Sequence, residues 1–532
     1  MVLAIGFLLL VIIGYLLLDL LTSNLASEEK MSLSYGMGIG FISLLMFLML
    51  YFKLLPSKTQ LIILMFLISI VLFAIRHIVK KLGTANLKCL KIRTIFFKPW
   101  NYKLYLTSLP LFILSLIFSY YYPIMITDGI GYEVTGKLMA VNSSIEPESY
   151  FIPYPPLISS AYSFICFFGG SHLKIILPLF YLSLVLCFYF RLIALGVNKR
   201  SSLVFTLILA TTPYIWWHSF LGILNLTAAY YFSIATLFWF SHLKNISESG
   251  DESRINYTYP LLAGLFYSLS IFTRFEMLVY FLLPLIFTAL YSLKYHLSKN
   301  LLYLVSPSLF ISSLWSFFSS YKLSSSEDFQ VFSVAIIILI AVVVLSYFIV
   351  IKKVYGNPID FIDRCKRRNF YLLRALGLSF AIFLIIYLFI PQNVQNNLDF
   401  FSQILFFLKT LIMRSIIFIF GNVFFLSTSF LIVLLPLKRY KSFKREDIYL
   451  VSFILSFLFL NIMIFSWFYF ALYPKGYSIL YWSYDLVEFF KTIIYHPGKV
   501  INSAQIRGLL PIYPIIIFFF ATFRRIQKAF EV

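Results

Sequence analysis

The chain has 532 residues, of which 61% are hydrophobic, 20% aromatic and only 12% charged. A soluble domain carries about 25% charged residues, so this composition excludes an ordinary water-soluble globular protein and points to lipid as the solvent. The net charge of +22 sits in short runs between apolar segments, which is the pattern of membrane loops rather than of a nucleic-acid-binding face.

Apolar stretches long enough to be transmembrane candidates fall near 2–21, 36–54, 61–76, 104–122, 173–195, 203–220, 221–243, 259–273, 277–293, 300–320, 330–350, 372–390, 416–437, 448–472 and 509–523. They predict an all-α, polytopic transmembrane helix bundle of about 15 helices. The first stretch lacks the basic flank of a signal peptide and reads as a helix of the bundle. A shorter apolar run, Leu157 to Phe168, follows Pro155-Pro156. It is too short to span unaided, so an interfacial helix is expected within the outer loop. The four cysteines, Cys89, Cys166, Cys187 and Cys365, and the six histidines are scattered. They show no disulfide or zinc spacing, so no disulfide framework and no zinc site is expected; no cofactor is indicated, and a divalent metal stays an open alternative.

Charge bias orients the bundle. Residues 76–103 carry Arg76, Lys80, Lys81, Lys88, Lys91, Arg93, Lys98 and Lys103, and residues 352–374 and 438–445 are similarly basic. Arg524, Arg525 and Lys528 add to the tail. Simple alternation of the helices puts all of these on one side, which is the cytoplasmic one. The N-terminus is then outside and the C-terminus inside, in a cell membrane or, in a eukaryote, an endoplasmic reticulum membrane. Loops 123–172 and 474–508 fall on the outer side.

Three features of those outer loops carry chemistry. Asp128 follows the fourth helix closely, in Thr127-Asp128-Gly129-Ile130-Gly131-Tyr132-Glu133. A carboxylate so near the membrane surface is partly desolvated, which raises its pKa and suits a general base. A helix N-cap is the structural role open to the same residue. Arg507 precedes the last helix in Arg507-Gly508-Leu509-Leu510-Pro511, where a guanidinium suits a phosphate at headgroup depth or a lipid headgroup anchor. Between them, Thr273-Arg274-Phe275-Glu276 interrupts two apolar helices on the same side. Arg274 either pairs with Glu276 there or adds positive charge to the outer pocket.

Taken in order, these features resemble the GT-C superfamily of membrane glycosyltransferases, which includes protein mannosyltransferases and the aminoarabinose transferase of lipid A. Asp128 and Tyr132 match the D-E-x-x-Y of its first outer loop, with Gly129 at the second acid. Tyr154-Pro155-Pro156-Leu157 matches a Pro-Pro-Leu segment, Gly264-Leu265 with Thr273-Arg274-Phe275-Glu276 matches the helix break, and Arg507 with Leu510-Pro511 matches the late helix. The resemblance covers about residues 104–525 and divides the chain into an N-terminal extension, 1–103, and a transferase bundle, 104–532. It implies a polyprenyl- or dolichyl-phosphate-linked sugar donor, with an acceptor hydroxyl on a glycan, lipid or protein attacked with inversion outside the cytoplasm. Asp128 is then the base and Arg507 the phosphate ligand. Arg274 and Lys137 stand second for the phosphate, with Tyr132 and Glu133 beside them. No D-x-D pair is present, so no divalent metal is indicated. Two other classes remain: a surface-polysaccharide polymerase or ligase, which also uses outer-loop arginines, and a lipid-linked-sugar transporter, which calls for matched half-repeats and broken mid-membrane helices. Apart from substrates, membrane lipids are the only expected partners; nucleic acid is not one.

Overall fold

The computed structural model describes residues 2–22, 25–55, 57–81, 99–122, 127–145, 155–249, 257–274, 276–295, 298–322, 449–458 and 510–522, with a few isolated positions besides. Among the described residues the only regular structure is helical. The helices are α1 (Val2–Leu21), α2 (Ser27–Tyr51), α3 (Lys58–Lys81), α4 (Pro99–Tyr121), α5 (Thr127–Asn142), α6 (Leu157–Phe167), α7 (Ile176–Ala194), α8 (Lys199–Thr211), α9 (Pro213–His218), α10 (Asn225–Ser249), α11 (Thr258–Thr273), α12 (Glu276–Tyr295), α13 (Ser298–Lys322), α14 (Tyr449–Leu458) and α15 (Ile512–Thr522). Six of these regions are long and apolar enough to cross a membrane: Val2–Leu21, Ser27–Tyr51, Lys58–Val79, Tyr102–Tyr121, Leu173–Ala194 and Asn300–Phe318. The expected spans at 330–350, 372–390 and 416–437, and loop 474–508 with Arg507, lie outside the described residues.

The chain forms two compact units. The first holds Met1–Leu278, Leu302–Ser324 and Ile517–Val532; the second holds Val279–Leu301 and Ser325–Ile516. Within the second unit α12 meets α14. The Tyr280 and Phe457 rings stack at 4.3 Å, and Asn461 Nδ2 donates to the Tyr280 hydroxyl at 2.7 Å.

The first unit is built on close helix crossings. In α1 and α2, Gly14 and Gly38 let the two backbones touch: a Cβ on Gly14 would collide with the Ser34 carbonyl, and one on Gly38 with the Leu10 carbonyl. Lipid offers no hydrophobic drive between helices, so such small-residue contacts supply the attraction through dispersion. By contrast α3 turns large apolar side chains outward, with Ile63, Phe66, Ile70, Phe73 and Ile78 all exposed. An apolar exterior of this kind is what a lipid solvent calls for.

Helix α2 starts nine residues earlier than hydropathy alone predicts, at Ser27. Its first turn carries Glu29 and Lys30, both buried, and each finds an opposite charge. Arg191 Nη1 of α7 donates to Glu29 Oε1 at 2.8 Å, and Lys30 Nζ donates to Asp19 Oδ1 of α1 at 2.5 Å. The Arg191 guanidinium also donates to Ser241 Oγ of α10 at 3.0 Å. It lies beside the stacked Phe238 and Tyr259 rings, 4.8 and 4.7 Å from their centroids. This arrangement ties the end of α7, the far part of α10 and the start of α11 to α2, and so defines one end of the unit. The opposite end holds the starts of α7 and α10 and the finish of α11.

Two segments differ from expectation. The stretch 203–220 is not one helix: α8 stops at Thr211, Thr212 is extended with φ −60° and ψ 112°, and Pro213 opens α9. A proline disfavours helical backbone in the residue before it and has no N–H to continue the ladder. The 13 residues of α8 reach about 20 Å, short of a bilayer's core of about 30 Å, and α9 completes the passage to the other end. The second difference is α6. Leu157 through Ile165 are all buried in it, so it is packed inside the unit rather than lying on the outer surface.

Candidate functional site

The far end of the first unit holds the start of α5, which carries Asp128, and the α11–α12 break at Arg274. Helix α5 begins at Thr127, so Asp128 stands within the first helical turn, and not in the loop before it. The buried stripe of α5 is Gly129, Tyr132, Thr135, Gly136 and Met139, at helical spacing. This face packs on α6 at Gly136, where an added Cβ would come within 2.6 Å of Tyr162 Cβ. Tyr132 is therefore a packing residue as well as a motif match. On the other face Lys137 Nζ bonds Glu133 Oε1 at 2.5 Å, with 51% of the lysine side chain exposed. Burial pushes the Cys166 thiol, at the end of α6, above its ordinary value, and the Lys137 charge opposes that shift.

Gly129 contacts the segment that precedes α10. An added Cβ there would lie 2.9 Å from the Gly222 carbonyl oxygen and 2.8 Å from Ile124 Cγ2. Gly222 has φ +84°, a left-handed conformation that glycine adopts without penalty. Three residues later Asn225 opens α10, no more than about 11 Å away along the chain. The buried Asn225 Oδ1 accepts from Arg274 Nη1. Arg274 Nη2 and Nε also donate to Glu276, at 2.6 and 3.4 Å. The extended backbone of Arg274, φ −142° and ψ 125°, breaks α11 from α12 and turns the side chain back on both partners. The guanidinium is thus neutralised by Glu276 and fixed by an amide from another helix.

Aromatic residues surround this end. Lys174 Nζ donates to the Tyr122 carbonyl, joining the finish of α4 to the start of α7. The Tyr122, Trp216, Trp217 and Phe220 rings pack on one another with centroids 5.1 to 6.4 Å apart. Trp217 and Tyr121 are exposed. Amphipathic rings in such a belt are characteristic of a membrane–water interface.

The structure thus brings the Asp128 turn and Arg274 to one short segment, 219–225. It pairs Lys137 with Glu133, buries Tyr132, and leaves the side chain of Asp128, like all of Arg507 and Tyr154, outside the described residues. Sequence reasoning missed Asn225 and Gly222. Nothing in the local sequence ties an asparagine at 225 to an arginine 49 positions away. The chain matches no protein-family model, no curated protein and no solved structure.

Proposed function

We propose that the chain is a membrane glycosyltransferase that moves a sugar from a polyprenyl-phosphate-linked donor to an acceptor hydroxyl outside the cytoplasm. The observation that carries this reading is the segment 219–225, which touches the first turn of α5 at Gly129 and holds Arg274 through Asn225. It puts an acidic helix start and a fixed cation beside one loop, at an end rimmed by aromatic residues. Support also comes from the order of the outer-loop motifs in the sequence.

In this reading Asp128 takes the proton of the acceptor hydroxyl as the acceptor oxygen bonds to the anomeric carbon. The bond from that carbon to the phosphate oxygen breaks on the opposite face, and the polyprenyl phosphate leaves as an anion. Attack opposite the leaving group inverts the centre and needs no covalent enzyme intermediate. The phosphate needs a cation not already balanced. Lys137 and Arg274 each have a carboxylate partner, so Arg507 is the preferred phosphate ligand.

The test is Asp128→Asn, assayed for sugar transfer from a synthetic polyprenyl-phosphate donor beside donor binding on the same preparation. Asparagine is tolerated at a helix start about as well as aspartate, but it accepts no proton. Turnover is expected to fall by at least ~10²-fold with donor binding retained. Near-normal turnover would remove Asp128 from the mechanism.

A further inference from the structure

We propose that Asp19, Lys30 and Arg76 form a binding site for the phosphate group of an anionic membrane lipid, in the leaflet that faces the basic loops. Asp19 lies near the finish of α1, Lys30 in the first turn of α2 and Arg76 in the last two turns of α3. Lys30 Nζ bonds one oxygen of Asp19 at 2.5 Å, and Arg76 Nε bonds the other. Two cations therefore share one carboxylate. Two glutamates stand beside Lys30 in the first turn of α2: Arg191 holds Glu29 at 2.8 Å, and among the described residues Lys30 and Arg76 pair with Asp19 and not with Glu28.

The excess charge is carried where a lipid can reach it. Asp19 and Lys30 are 1% and 3% exposed, but Arg76 is 17% exposed. Among the described residues its hydrogen bond is made through Nε, and the two terminal nitrogens keep their donors for an outside acceptor. A guanidinium already oriented by a carboxylate through Nε presents Nη1 and Nη2 as a ready fork for phosphate oxygens. Around it, the exposed residues of α3 are Phe73, Ile75, His77 and Ile78, an apolar surface with one histidine, suited to acyl chains. At 1.5 Å per residue, Arg76 stands about 8 Å from the end of α3 and Asp19 about 3 Å from the end of α1, which is headgroup and upper acyl depth. Net positive charge at that depth is costly without a counter-charge, and a lipid phosphate supplies one. Basic pockets between helix ends on the cytoplasmic side bind anionic headgroups for this reason.

The test titrates the delipidated full-length protein in neutral detergent with phosphatidylglycerol or phosphatidylcholine and counts bound lipid by native mass spectrometry. The site predicts tighter retention of phosphatidylglycerol. Arg76→Gln is expected to weaken that retention about fivefold, the value of one basic residue near a charged headgroup, and to leave phosphatidylcholine retention unchanged. Arg76→Lys recovers part of the loss. Equal retention of the two lipids by the wild type would overturn the proposal, as would an unchanged Arg76→Gln variant. Displacement of bound phosphatidylglycerol by millimolar inorganic phosphate would also overturn it, by making the site one for free phosphate. Should Arg76→Gln fail to fold, the wild-type preference between the two lipids and the phosphate competition decide.

Discussion

Arg191 shows what a charge inside the bundle requires. It is buried, yet it has a carboxylate at 2.8 Å, a hydroxyl at 3.0 Å and two aromatic rings against it. Taking a charge out of water is repaid only when its partners are complete. Glu29→Gln leaves that guanidinium buried without a counter-charge and is expected to destabilise the protein by about 3–5 kcal/mol. Glu29→Leu combined with Arg191→Met, which removes both charges, is expected to recover most of that loss. Thermal unfolding in detergent measures both, and a double variant no more stable than the single one would contradict the pairing. Of these residues the sequence made little legible. Arg191 and Glu29 are 162 positions apart; the hydropathy span 173–195 runs through Arg191, and the span 36–54 stops short of Glu29. The outer-loop residues were easier to find, because Asp128, Arg274 and Arg507 each stand beside an apolar run. What each of them touches was not readable: that Glu276 and Asn225 would both hold Arg274 depends on how α10 and α11 meet.

Helices were legible wherever one apolar run had one cause. Val2–Leu21, Leu173–Ala194 and Thr258–Thr273 lie close to where hydropathy puts them. The exceptions have local physical reasons. Pro213 splits α8 from α9, since it blocks helical backbone at Thr212, and the charged start of α2 is buried by ion pairing that hydropathy cannot see. Helix α6 is short and apolar, which fits a surface helix and a buried one equally well. Its place inside the unit follows from α5, whose Gly136 lets it approach. The α1–α2 crossing gives a direct test of these contacts. Gly38→Leu forces a side chain into the Leu10 carbonyl. A shift of the two helices is then needed, at a cost of about 1–3 kcal/mol. Leu8→Ala, on the exposed side of α1, is expected to change stability far less. Equal effects of the two in the same unfolding assay would argue against a close crossing.

At the scale of the molecule, the two ends of the first unit differ in character. One has Lys199, Arg200 and the ion pairs of Asp19 and Glu29; the other has the Asp128 turn, Arg274 and the aromatic belt. On the positive-inside rule, we propose that the first end is the cytoplasmic one. Single cysteines at positions 140 and 360, in a background free of native cysteines, are therefore expected to react with an impermeant reagent from opposite sides of the membrane. Labelling of both from one side would contradict that orientation. The central claim, transfer from a lipid-linked donor, is tested most directly with the purified chain in liposomes and a sugar-labelled polyprenyl-phosphate donor. The account predicts that label passes to an acceptor hydroxyl as free polyprenyl phosphate appears in equal amount. It also predicts that a nucleotide-linked form of the same sugar does not replace the donor. Transfer from the nucleotide sugar alone, or movement of the intact donor across the bilayer without cleavage, would contradict it.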